Sequence, residues 1–445
     1  MRRLLSFLGM GGENGYQTCR YRIDGFVSEN TRFVQRAILD AARSTGDAFD
    51  EVVLLCTKKA RDRWTADDVI AREIAPSARL VQVPDGKNTS EMWAIFNTVA
   101  QELGGSSPEP GLCVHMDVTH GFRVQPLIGL AALDFVRSEW QRRRISAPPD
   151  VRITYGAMEA AGDDPEGCAP IWDLSELLTA GRWNSALTAV LAYGRGDELQ
   201  TLTKSLGDRA AREARARGRP PEEQGAARDA AGDKLGGAVK RFTDDLCTGR
   251  LPFLFKESAP ALARILESDG VRELRQKLPI LAPTLEWLQS RVALLQAESV
   301  VATEKGARAT LAYARLCGDL QRFAEQAAAL REALVTLFAL RQPWRQVPLD
   351  AGVPDLDPQR KEIESAFGRL GWALEMGEEP ARQAAQTEAG GAAEILSLGY
   401  RVADLRNDVE HLAIRSNPRS AKNVIRALDE YTQAAIRFVD EAPTE

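Results

Sequence analysis

Metal-binding and redox motifs are missing from this 445-residue chain. Its six cysteines (Cys19, Cys56, Cys113, Cys168, Cys247 and Cys317) lie far apart, with no Cys-x-x-Cys pair and no Cys/His cluster at zinc-ligand spacing. They read as reduced, mostly buried thiols, and no cofactor is expected. An excess of positive charge is missing as well. A net charge of −6 argues against a broad surface for duplex DNA, which needs many lysine and arginine contacts to phosphate. Any nucleic-acid site is expected to be a local pocket or cleft, with no DNA partner. Long apolar runs are also absent. No window reaches transmembrane length, and Met1-Arg2-Arg3-Leu4-Leu5-Ser6-Phe7-Leu8-Gly9 has too short an apolar run for a signal peptide. This start is read as the first β-strand of a cytoplasmic protein with no membrane partner.

What remains is a composition of 44% hydrophobic and 27% charged residues, enough for globular cores without disulfides or metal. The length is too great for one ordinary core, and two domains are expected, 1–175 and 176–445. The first alternates short apolar runs with amphipathic ones, the pattern of βαβ units in a mostly parallel sheet. Strands are expected at Arg3 to Met10, Glu51 to Thr57, Arg79 to Val83, Leu112 to Val118 and Val151 to Tyr155. Helices are expected at Thr31 to Arg43, Thr89 to Leu103 with Thr89 or Ser90 as cap, and Phe122 to Arg142. This is an α/β, Rossmann-like amino-terminal domain. After Tyr155 the strand signal stops, from Trp172 to the end nearly everything reads as helix, and an all-α carboxyl-terminal domain is expected. Arg209 to Gly237 is read as helical pieces around an exposed loop, with a proline-rich loop at Gln342 to Gln359 and a second polar break at Gly377 to Gly391.

Two of only three histidines sit in compact motifs. Near the carboxyl end, Arg406-Asn407-Asp408-Val409-Glu410-His411 is placed on a helix running from Val402 to Ser416. Val402, Leu405, Val409 and Leu412 form its apolar stripe. His411 falls opposite that stripe with Asn407 one turn earlier, whereas Arg406 lies about 140° around the axis from His411. One straight helix does not aim both at one phosphate, but the same helix from a second protomer across a twofold axis resolves the mismatch. RNA cleavage by internal transesterification needs a proton acceptor or donor near neutral pKa and a cation for the phosphoryl oxygens. His411 and Arg406 meet those needs, and Asn407 can orient either. The competing reading is a solvated helix face with an ordinary Arg406/Glu410 ion pair.

The other motif, Asp117-Val118-Thr119-His120-Gly121, ends an apolar strand and opens a helix at the carboxyl edge of the sheet, where anionic ligands bind. Thr119 is alternatively only an N-cap and Gly121 only a turn residue. The loop Gly9 to Gly15, with Gly11, Gly12 and Asn14, is a second phosphate-contact candidate on that edge. Asn14 stands where the third glycine of G-x-G-x-x-G belongs, so a nicotinamide enzyme is not expected. Thr57 and Lys58 either join the pocket or cap the next helix. His115, within a strand, is read as a packed, hydrogen-bonded residue.

Followed by Phe122-Arg123, the pentapeptide resembles the Asp-x-Thr-His-Gly motif that names a family of CRISPR-associated proteins, in which a Rossmann-like CARF sensor domain is fused to a HEPN nuclease. Arg406-Asn407 to His411 is similar to the HEPN signature of Arg, a polar residue, a short spacer and His. Further family-like positions recur in order: Arg3 to Gly9, Thr31 to Leu39, Thr57 to Ala60 with Trp64, Pro84-Asp85-Gly86 before Glu91-Met92-Trp93, Tyr155 to Ala157, Trp183 and Arg331 to Leu334. The resemblance implies a cyclic-oligoadenylate activator, with four adenosines rather than six, bound by the candidates above together with Arg123. It also implies metal-independent cutting of single-stranded RNA to 2′,3′-cyclic phosphate ends by Arg406, Asn407 and His411. A homodimer or higher even-numbered oligomer is expected. The alternatives are a sensor or scaffold without nuclease activity and a ring nuclease that degrades the activator.

Overall fold

The computed structural model describes residues 1–440 except 122–123, 165, 176–179, 231, 298–302, 342–356, 412 and 415–416. Its contacts divide into two compact units, Met1–Arg182 and Trp183–Glu445. In chain order the first unit runs β1 (Arg2–Leu8), β2 (Tyr21–Ile23), β3 (Phe26–Val27), α1 (Val34–Ser44), β4 (Glu51–Cys56), α2 (Lys58–Thr65), α3 (Val69–Glu73) and β5 (Arg79–Gln82). It continues with α4 (Thr89–Glu102), β6 (Cys113–Asp117), α5 (Val124–Arg142), β7 (Asp150–Gly156) and β8 (Ala169–Asp173). The strands form one sheet in the order β3-β2-β8-β7-β6-β1-β4-β5. β1 pairs in parallel with both β4 and β6, while β8 runs antiparallel to β7.

Alternation along β1 supplies both faces of the sheet. Leu4 and Leu8 pack with Val52 and Leu54 under α1, α2 and α3, and Leu5 and Phe7 pack with Val53, Leu55, Val114 and Met116 under α4 and α5. A strand covered on both sides reads as an unbroken apolar run, which is why the parallel core is visible in the sequence. Two helix starts use caps of different origin. Thr57 accepts from the Ala60 amide at the head of α2. Asn88, rather than Thr89 or Ser90, caps α4, with Glu91 reaching back to the Gly86 and Lys87 amides, a capping-box arrangement.

The second unit is helical throughout its described residues. Phe242, Leu311, Leu330, Phe338, Leu396 and Val402 belong to its core. Arg209 to Gly237 consists, as expected, of helical pieces around an exposed stretch at 217–220, the helices being Asp197–Ala216, Pro221–Ala230 and the start of Asp233–Cys247. Other sequence expectations change. The expected break at Gly377 to Gly391 contains the helix Glu379–Ala389, opened by proline in its first turn and anchored by Ala385 and Ala389 four apart. The proline-rich loop falls largely outside the described residues, and its last three residues already belong to the helix Asp357–Met376.

The motif helix spans Ala393–Glu410 rather than reaching Ser416. His411 is its C-cap, and Ala413 turns left-handed with φ +60°. The Ala413 amide donates to Asp408 O and the Ile414 amide to His411 O, closing the helix end. Leu412, the last member of the expected stripe, lies outside the described residues. Gly399 lets this helix lie against Phe367, since a Cβ there would overlap the ring.

Candidate functional site

β1 is followed by α1 on one face of the sheet, and β6 by α5 on the other. The gap between these adjacent strands is therefore the topological switch point, the place where open α/β sheets bind ligands beyond their carboxyl ends. The two loops leaving it touch through backbone. A Cβ on Gly9 would lie 3.0 Å from the Gly121 N and 3.1 Å from its Cα, and Gly121 holds φ +112°. Gly11 and Gly15 are also left-handed, and the Gly12–Gly15 pair exchanges backbone hydrogen bonds of 3.2 and 3.0 Å. The loop presents Gly12, Glu13 and Asn14 to solvent.

The residues of the Asp-x-Thr-His-Gly stretch divide in role. Asp117 is fully buried: Ser6 Oγ donates to its Oδ2 at 2.6 Å, and the Thr119 hydroxyl and amide donate to its Oδ1. Thr119 Oγ1 also accepts from the Gly156 amide at 2.7 Å, and Gln35 Nε2 donates to Ser6 Oγ at 2.8 Å. These bonds tie β1, β6, β7 and α1 together behind the crevice, so Asp117 can act on a ligand only by shaping the loop. His120 faces the other way. It stacks on Tyr16 with centroids 3.9 Å apart, and Tyr16 stacks on Trp64 at 5.5 Å. Burial pulls His120 down to about 4, so the ring is neutral at pH 7. Its Nε2 is buried without a hydrogen-bond partner among the described residues, an arrangement that costs roughly 1–3 kcal/mol unless a ligand supplies one.

The clamp on this loop was not evident from sequence beyond the family-like position of Trp64. Trp64 Nε1 donates to Gly9 O at 2.7 Å, and Arg63 donates to Gly12 O and Glu13 O, both at 3.0 Å. Arg63 and Arg32 also lie over the Trp64 ring, at 4.9 and 5.2 Å. α2 thus fixes the glycine loop while Thr57 fixes the start of α2, and Lys58 stands exposed at its first position. Arg123 lies outside the described residues. His115 is packed as expected, with Nε2 2.8 Å from Thr154 Oγ1 and its ring edge-on to Phe49.

Burial pushes the Asp117 carboxyl up to about 6. Its folded value exceeds the unfolded one, so between about pH 4 and 6 the unfolded chain ionises while the folded chain keeps its proton. The first unit therefore loses stability as pH rises through that window, on the order of 3 kcal/mol from this group. Asp117→Asn removes the ionisation and can still accept from Thr119. Calorimetric melts of the full chain should show the variant gaining on wild type from pH 4 to pH 6 and then running parallel. A difference independent of pH would show that Asp117 carries no such penalty.

In the helical unit, Asn407 and His411 are exposed at the end of the motif helix. Arg406 is half-buried and paired with Glu410 at 2.7 Å, the ordinary ion pair that the spacing allowed. The hydrogen bond to Glu410 holds the guanidinium firmly charged, helped by the nearby Glu332 and Glu364 carboxylates. Asp408, not an apolar residue, is buried one turn beyond Leu405. It accepts from the Arg419 amide at 3.0 Å, and Asp404 accepts from the Arg419 guanidinium at 2.6 Å. On helical geometry Asp404 and Asp408 lie about 20° and 60° from His411. Arg419 is consequently the cation held on the histidine's side of the helix, while Arg406 points away.

Fold and geometry together define a doubly wound α/β domain with a prepared switch-point crevice, followed by a helical domain that presents a histidine and an amide at a helix end. No family model and no curated protein matches the chain. Among solved structures it is similar to Enterococcus italicus Csm6 bound to cyclic hexa-2′-fluoro-hexa-dAMP, at 12% identity over 99% of this chain and 94% of that one, with a TM-score of 0.41. No helix among the described residues is long and apolar enough to cross a membrane.

Proposed function

We propose that this protein is a cyclic-oligoadenylate-activated, metal-independent endoribonuclease of type III CRISPR defence, cutting single-stranded RNA as a cytoplasmic homodimer or higher even-numbered oligomer. The observation that carries the reading is the Asp-x-Thr-His-Gly loop seated at the switch point, with the buried His120 Nε2 unpartnered, in the same chain as an Arg-Asn…His set at an exposed helix end. A ring of adenosines and phosphates suits glycine-loop amides and a stack of aromatic planes. His411 takes the proton from a ribose 2′-hydroxyl or gives one to the departing 5′-oxygen, as the new bond to phosphorus forms and the old one breaks. Arg406, brought across a twofold axis, meets the charge on the phosphoryl oxygens. The activator acts by binding the assembled state more tightly than the resting one.

The test is purified protein with fluorescent single-stranded RNA in EDTA, with no activator, cyclic tetra-adenylate or cyclic hexa-adenylate. Cleavage that requires one of the rings, persists in EDTA and leaves 2′,3′-cyclic phosphate and 5′-hydroxyl ends is the expected result, the four-membered ring being tried first. Strict metal dependence would refute the chemistry, and RNA left intact by both rings would favour a sensor or scaffold. A second reading is a ring nuclease, in which Thr119 and His120 orient the activator for self-cleavage; loss of activator over time in the His411→Ala protein would identify it.

A further inference from the structure

A groove of about 940 Å³ opens on the second unit among the helices Glu304–Asp319, Phe323–Ala339 and Ala421–Asp440. Its walls carry Arg315, Lys422 and Arg426, with Phe323 and Ile425 between them. The cations near the motif are mostly neutralised by carboxylates, as in Arg406–Glu410, Arg419–Asp404 and Arg360–Glu364. Those of the groove are not. Among the described residues neither Arg315 nor Lys422 has a carboxylate partner, and Arg426 reaches Glu430 only at 3.8 Å. Of the two acids of the wall, Asp319 is neutralised by Arg291 at 2.8 Å, while Asp429 accepts from the neutral Gln433 amide at 3.2 Å and keeps its charge. The surface thus carries an excess of positive charge over the one unneutralised acid, Asp429, together with apolar side chains, complementary to phosphates flanking unpaired bases.

The groove also begins beside the motif. Arg419 is bonded to Asp404 and Asp408 on the His411 side of the motif helix, and Lys422 follows three residues later, within about 10 Å of chain. We propose that this groove is the track in which single-stranded RNA lies on its way to His411, its phosphates on Arg315, Lys422 and Arg426 and its bases against Phe323 and Ile425. The inference rests on the ribonuclease reading above and assigns it a substrate-binding surface.

The test uses full-length protein with saturating activator. In a His411→Ala background, which blocks cutting, the affinity of fluorescein-labelled single-stranded RNA is measured by anisotropy at several KCl concentrations, with and without Lys422→Glu plus Arg426→Glu. The double substitution should weaken binding roughly tenfold or more and flatten the salt dependence by about 1.4 in log–log slope, the share of two phosphate contacts. Lys422→Arg plus Arg426→Lys should bind like the parent. With His411 intact, the charge reversal should raise KM and leave kcat at saturating RNA, which general misfolding would not do. Unchanged affinity and slope in protein that still cuts RNA would overturn the track alone. A fall from dimer to monomer mass on sedimentation would overturn it by assigning the groove to a second copy of the chain. Wild-type protein that neither binds nor cuts RNA would remove the ribonuclease reading and the track together.

Discussion

His411→Ala leaves single-stranded RNA uncut at saturating activator, with a rate at least 10²- to 10⁴-fold below wild type, the range that a positioned acid or base contributes. Activator affinity in the same variant stays unchanged, because His411 belongs to the helical unit and the crevice to the other. Folding is not expected to suffer either. The side chain is exposed at a helix C-cap, where substitutions usually stay within about 0.5 kcal/mol. A rate measurement, an activator titration and a melt on one preparation therefore separate loss of chemistry from loss of structure. Full cleavage by the variant would refute the assignment of the helix end as the active site. Arg406→Ala should lose activity comparably if that guanidinium works across a twofold axis, and reconstituted heterodimers of the two variants should recover part of it.

Gly9→Val should impair activation from the opposite side, by weakening activator binding. The added Cβ meets the backbone N and Cα of Gly121 at 3.0 and 3.1 Å, and loop backbone yields less readily than the end of a flexible side chain. The loops that frame the switch point must give way, by a few tenths of an ångström for the Cβ and more for the branched side chain, which strains the Trp64–Gly9 bond and the seating of Tyr16 between His120 and Trp64. Activator binding should weaken by about a hundredfold, roughly 2.7 kcal/mol, measured by calorimetric titration. The transition of the helical unit in thermal melts should not move. Binding within a few-fold of wild type would show that the crevice between β1 and β6 is not where the activator sits.

The parts of the fold legible in the sequence are those with regular burial. β1, β4 and β6 are covered on both faces and read as apolar runs, and α1 and α4 show helical periodicity. β2 and β3, with three and two residues, are too short to show alternation, and β8 contains Pro170 and ends on exposed Trp172 and Asp173. Within the site, glycine and the Asp-Thr-His run announced the loops. The clamp by Arg63 and Trp64 arises from residues about 50 positions away in sequence and leaves no local pattern. Asp408 is the sharpest miss. A carboxylate between Val402, Leu405 and Val409 looks like a solvent residue, and only the return of the chain at Arg419 makes its burial affordable. The same return supplies a cation on the histidine's side that no spacing rule would find.

The pairing of β1 also bears on how the protein emerges during synthesis. β1 is a central strand, yet its partner β6 lies 111 residues away at the Ser6–Asp117 bond. Until that far segment leaves the ribosome, at about 5–20 residues per second, one edge of a seven-residue strand with four apolar side chains stays open to other chains. The ligand crevice is built on this late pairing. A nascent chain thus passes through several seconds in which it is exposed to association before the crevice can form, and stopping translation ahead of Asp117 leaves a fragment with that edge permanently bare.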